Sequence, residues 1–111
     1  MTDTDACIVL TTAASETEAE AIATALVADQ LAACINIFPI KSIYTWQGKL
    51  ENSAEWQLVI KTKASCFTTL CQKVSSIHSY DVPELISLPI EGGSTAYMAW
   101  LNGQVQTPSV S

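Results

Sequence analysis

Arginine is absent from this chain of 111 residues, and lysine occurs only five times. Nucleic-acid binders neutralise phosphates with clustered basic side chains, and bidentate clamps on phosphate or carboxylate use guanidinium. Against eleven Asp and Glu, and a net charge of −6, neither chemistry has the residues it needs, so nucleic acid is a poor partner. Histidine is nearly missing too, with His78 alone. Copper and zinc favour imidazole and thiolate ligands, and none of the four cysteines stands in a C-x-x-C pair. Apolar runs long enough to span a bilayer are lacking, which argues against a membrane partner. The start, MTDTDA, is acidic where a signal peptide is basic. A cytoplasmic location is the default expectation, and in that compartment the cysteines are reduced thiols acting as small buried hydrophobes. Cys66 and Cys71 would point to different faces of one helix. The marks of catalysis are missing as well: there is no G-x-S-x-G elbow, no glycine-rich phosphate loop and no cysteine with a local histidine. Gly92-Gly93 reads as a turn. His78 with Cys34 or Tyr80 is slender support for a site, so an enzyme is not expected.

What is present is apolar. Hydrophobic residues make up 49% of the chain and charged residues only 14%, against about 25% in an ordinary soluble domain. The length fits one domain with a full core. A small chain this apolar is expected to hide part of its surface against copies of itself.

Cys7–Thr12 is β-branched and apolar, a short buried strand. Ser15 and Glu18 form an S-x-x-E capping box opening a helix whose Ala19, Ile22, Ala23 and Leu26 share one face. That helix is expected to fade near Leu31–Ala33. Cys34–Trp46 reads as a strand with Pro39 at a bulge or an edge. Gln47-Gly48-Lys49 begins a turn, and the return strand is expected from about Glu55 to Lys63. Ser65 is the expected N-cap of a second helix carrying Phe67, Leu70, Cys71, Val74 and Ile77, which the segment before Pro83 terminates. Leu85–Ile90 reads as a fourth strand. After Gly92-Gly93-Ser94 comes a short helix with Tyr97, Met98 and Leu101, then a polar tail from Gln104 expected to be loose or ordered only against a neighbour. The order β-α-β-β-α-β plus a terminal helix is the α+β ferredoxin-like arrangement, an antiparallel sheet with helices on one face. The other face needs a cover, which self-association would supply.

The phrases LAACINI, PIKSIYTWQGKLE, LVIKT, YDVPELISLPI and AYMAWL, in order over about residues 7–102, resemble the CutA family, named for divalent-cation tolerance. The resemblance implies a ferredoxin-like subunit in a tight homotrimer similar to the PII signalling proteins. It also implies three proposed copper ligands. The position of the family's cysteine falls near Thr11, that of its histidine pair at Ile77-His78, and that of its glutamate at Glu84. One soft ligand and one imidazole are thus replaced, leaving His78 and Glu84 as the candidate metal pair, for copper or another divalent cation. No other cofactor is expected.

The alternative to metal is a small molecule bound in a cleft between subunits, where apolar walls meet a few polar groups. The candidates are Tyr44, Trp46, Lys61, His78, Tyr80, Glu84, Tyr97 and Trp100. Lys61 and Glu84 would supply opposite charges and the rings stacking area. Trp56 and Trp100 also suit core or interface packing, whereas Trp46, beside Gly48, is hardest to explain as core. A PII-like sensing or carrying role follows as the expected function.

Overall fold

The computed structural model describes residues 5–106. Strand β1 (Ala6–Ala13) leads through helix α1 (Glu16–Ala28) to a hairpin of β2 (Cys34–Trp46) and β3 (Lys49–Lys63). A 3-10 turn (Ala64–Cys66) opens helix α2 (Phe67–Ile77), followed by β4 (Ile86–Pro89) and helix α3 (Thr95–Gln104). The four strands form one antiparallel sheet in the order β2-β3-β1-β4, as the ferredoxin-like reading requires. Pro39 sits on an edge strand in unbroken register with Trp56, where no inner ladder bond is lost.

Side chains alternate across the sheet, so register assigns the two faces. Cys7, Val9, Thr11 and Ala13 of β1 lie beside Thr62, Ile60, Leu58 and Trp56 of β3. This face packs on Ile22 and Leu26 of α1 and Leu70 and Val74 of α2, with Leu101 and Val105 joining the same core. The buried Thr62 hydroxyl is satisfied by the Leu31 carbonyl at 2.7 Å. The opposite face carries Ile8 and Leu10, with Phe38, Val59, Ile86 and Leu88 beside them. Among the described residues no helix covers it, and Phe38, Ile86 and Leu88 are 44%, 49% and 47% exposed.

Several local expectations need correction. Helix α1 stops at Ala28, short of Leu31, because Gln30 takes a φ of 59° and turns the chain out of the helix. Ser15 does cap Glu18 N–H, but the Glu18 carboxylate receives Ala14 N–H rather than that of Ser15. Strand β3 begins at Lys49, not near Glu55, since Gln47 and Gly48 close a tight turn that pairs Trp46 directly with Lys49. Ser65 does not cap α2: its hydroxyl donates to Asp5, and the 3-10 turn starts the helix instead. Ile77, expected in the buried stripe of α2, is 42% exposed. Val105 is buried, and Gln106 N–H donates to the Gln30 carbonyl, so the tail is docked to that point. The expected loose end past Gln106 lies outside the described residues.

Pairing of β1 to β3 ends at Ala13 and Trp56, whereas the β2–β3 hairpin continues to Trp46 and Lys49. Its outer half is therefore a two-stranded ribbon extending past the sheet. This overhang builds one wall of the candidate site.

Candidate functional site

On the ribbon, alternation puts Ser42, Tyr44 and Trp46 on the uncovered face of the sheet. The Tyr44 hydroxyl is 3.0 Å from that of Ser53, the residue opposite Ser42. Trp46 is 54% exposed at the ribbon's end. Facing this wall is the segment after α2, whose course is fixed by His78. The helix ends there, where His78 takes extended backbone.

The His78 side chain is wholly enclosed. Tyr80 N–H donates to its Nδ1 at 3.0 Å, so Nε2 carries the proton and donates to the Thr12 carbonyl at 2.7 Å. Its ring also lies 4.8 Å from that of Tyr80. Beside it, the Glu18 carboxylate accepts from the Ser79 N–H at 2.7 Å and from the Ser79 hydroxyl at 3.0 Å, and lies 3.7 Å from His78 Nδ1. Burial works to raise the pKa of Glu18, but the bonds from Ser79 and Ala14 outweigh it and hold it below the ordinary glutamate value. The start of α1, the end of β1 and the segment after α2 are thus joined by one polar cluster.

Past this latch the chain presents Tyr80, Asp81, Val82 and Glu84 toward the ribbon. Together with Ser42, Ile43, Tyr44 and Trp46, and with Thr12 and Glu55, they enclose a cleft of about 640 Å³. The Tyr80 hydroxyl donates to Glu55 Oε2 at 2.7 Å. Burial, and then the carboxylate it serves, push the Tyr80 phenol far above its ordinary pKa, so it remains a donor at any physiological pH.

Of the expected ligand residues, Tyr44, Trp46, Tyr80 and Glu84 meet in this cleft. Lys61 does not; its ammonium is bound by Asn36, and it lies beside Ile8 and Cys34 in the sheet, so no Lys61–Glu84 charge pair forms in the subunit. Tyr97 and Trp100 pair with each other on α3, their centroids 5.5 Å apart, and are not part of the lining. His78 stands behind the wall as a support and is not part of the lining either. Glu55 and Asp81 were missed: Glu55 reads as an ordinary polar strand position, and its burial comes from Tyr80, 25 residues later.

Among the described residues, no group of three or more His, Cys, Asp or Glu is placed to hold a metal ion. Thr11, at the position of the family's cysteine, is fully buried on the helix-packed face, with its hydroxyl unpartnered. No cysteine among the described residues is bonded to another, and Cys7 and Cys66 are buried. Burial pushes the Cys7 thiol up to about 11.

An open-faced ferredoxin-like sheet, backed by helices and prolonged by a ribbon that walls a cleft, defines a class of small α+β domains. Within that class the chain belongs to the CutA1 family: the profile described as CutA1 divalent ion tolerance protein matches residues 7–104. It is 41% identical over 95 residues to the Divalent-cation tolerance protein CutA of Archaeoglobus fulgidus, covering 86% of this chain and 93% of that one. To Protein CutA 1, chloroplastic, of Oryza sativa subsp. japonica it is 40% identical, covering 89% of this chain but only 56% of that protein's length. The crystal structure of CutA1 from Oryza sativa superposes with a TM-score of 0.91 at 38% identity, covering 95% of this chain and 97% of that one.

Proposed function

We propose that this CutA1-family chain is a non-catalytic binding protein that assembles as a homotrimer and takes a small molecule or ion in the cleft beside the ribbon, in a PII-like sensing or carrying role. The observation that carries the reading is the cleft of about 640 Å³, whose two walls are built by separate elements and braced by the His78 latch. That volume is in the range of small-molecule sites. The uncovered apolar face supports assembly, because a sheet face bearing Phe38, Ile86 and Leu88 half-exposed gains by being covered. A neighbour seated there would lie against the cleft and complete it. The proposal includes a cytoplasmic location, where free thiols persist; fractionation of source cells tests that part.

Native mass spectrometry on gently purified protein, without chelator or added metal, tests the whole reading. The expected result is a trimer carrying extra mass from a small molecule or ion. A bare trimer that also binds nothing from a broad metabolite and metal panel would overturn the binding part, and a monomer would overturn the assembly. Direct metal ligation by His78 with Glu84 requires the imidazole to give up its bond from Tyr80 N–H or its bond to Thr12. Unchanged copper affinity in His78→Gln would remove that alternative.

A further inference from the structure

Glu55 is only 8% exposed, yet its carboxylate has a single hydrogen bond among the described residues, the one that the neutral Tyr80 hydroxyl gives to Oε2. Among the described residues no group donates to Oε1, which solvent reaches. A carboxylate drawn largely out of bulk water, with one neutral donor, gains from a positive charge that reaches it. Among the described residues no lysine lines the cleft; Lys61 is held by Asn36, and Lys73 pairs with Asp29 at 3.2 Å. Asp81 and Glu84 line the same cleft and deepen its negative potential.

A cation suited to this cleft has a size and a shape. A divalent metal needs ligating atoms converging within a few ångströms, and these carboxylates do not form such a group. Asp81 and Glu84 stand on the segment after α2, and Glu55 on the hairpin that also carries Tyr44 and Trp46, around a space of about 640 Å³. That geometry suits a larger cation with diffuse charge. An ammonium or guanidinium group gains from a carboxylate acceptor and from aromatic faces at once, and its apolar body fills the remaining volume.

We propose that the ligand of this cleft is an organic cation, an ammonium or guanidinium on an apolar body, whose charge is received by Glu55 and whose body lies against Tyr44 and Trp46. The inference rests on the reading above that the cleft is a binding site, and names the class of ligand.

Isothermal titration of the full chain with three probes of similar shape, phenethylammonium, phenethyl alcohol and phenylpropionate, and with Zn²⁺ alone, tests it. The expected result is that the ammonium binds at least about ten-fold tighter than the neutral alcohol, the carboxylate weakest, and that added salt narrows the margin. Glu55→Gln, which keeps an acceptor for Tyr80, is expected to erase that margin while leaving the alcohol's affinity in place. Asp81→Asn should reduce it in part, and Glu20→Gln on α1 should leave it unchanged. If Glu55→Gln does not fold, Asp81→Asn and the salt dependence decide. Equal binding of ammonium and alcohol would overturn the cation assignment and leave the cleft reading standing. Binding of Zn²⁺ with no organic cation would overturn it in favour of metal. Loss of assembly in Glu55→Gln, with no probe discriminated by the parent chain, would show that a lysine of a second copy fills the place. Failure of every probe, together with a bare mass spectrum, would sink the underlying reading as well.

Discussion

His78 and Glu18 together hold the cleft's far wall, and each makes a measurable prediction. The imidazole is enclosed and uses both ring nitrogens, so His78→Ala leaves the Thr12 carbonyl and the Tyr80 N–H without their partner. A cost of about 2–3 kcal/mol in urea unfolding is expected. His78→Gln, able to restore one of the two bonds, is expected to cost less. Glu18 titrates below the ordinary glutamate value when folded, so its contribution is full above the unfolded pKa and is lost as pH falls through the folded one. Stability measured from pH 6 down to pH 3 should therefore drop less steeply in Glu18→Gln than in the parent chain; identical slopes would remove Glu18 as the cause. The thiols make a third expectation: Cys7 and Cys66, buried and with raised pKa values, should resist a thiol reagent until the chain unfolds. The burial of His78 could not be read from sequence, because its partner is a carbonyl 66 residues earlier. Sequence patterns report periodicity over a few turns, and a closure of that range leaves no local trace.

The elements were most readable where burial alone shapes them. Strand β1 and the Ala19–Ile22–Leu26 stripe of α1 carry their periods openly, since one face of each meets the core. The start of β3 was hidden because Lys49–Ala54 has no partner beyond β2 and no core to face, so nothing selects an alternating pattern there. Pairing in that stretch is imposed by the turn. Gln47 and Gly48 have φ values of 52° and 77°, the two left-handed positions of a turn that favours Asn-Gly. Gly48→Val should lower the melting temperature and unpair the ribbon, whereas Gln47→Asn should raise stability by about 0.5 kcal/mol; thermal melts of the two variants decide. Because the ribbon carries Tyr44 and Trp46, the Gly48 variant should also blunt any ligand response. The four expected residues that line the cleft came from aromatic and charged residues clustered near turns. Glu55 and Asp81 escaped because only the tertiary fold sets the acid of one strand against the loop of another element.

At the scale of the whole molecule, the sheet's uncovered face sets the expectation. Leu88→Glu puts a charge on that face at a site already 47% exposed, so the folded subunit should tolerate it. Light scattering after gel filtration is expected to give three times the subunit mass for the parent chain and a smaller species for the variant, with an unchanged circular dichroism spectrum. Retention of the trimer by Leu88→Glu would place the interface elsewhere. The strand order β2-β3-β1-β4 carries a different consequence, for the birth of the protein. β1 lies between two strands that both come later, its Ala6 pairing with Lys63 and its Cys7 with Pro89. At roughly 5–20 residues per second of synthesis, the first strand to be made waits several seconds for either neighbour. During that wait the apolar Cys7–Leu10 run has only α1 nearby, while the hairpin can form as soon as it emerges. Nascent chains arrested before Lys63 should thus be retained by a holdase chaperone, and chains arrested well beyond Pro89 should be released.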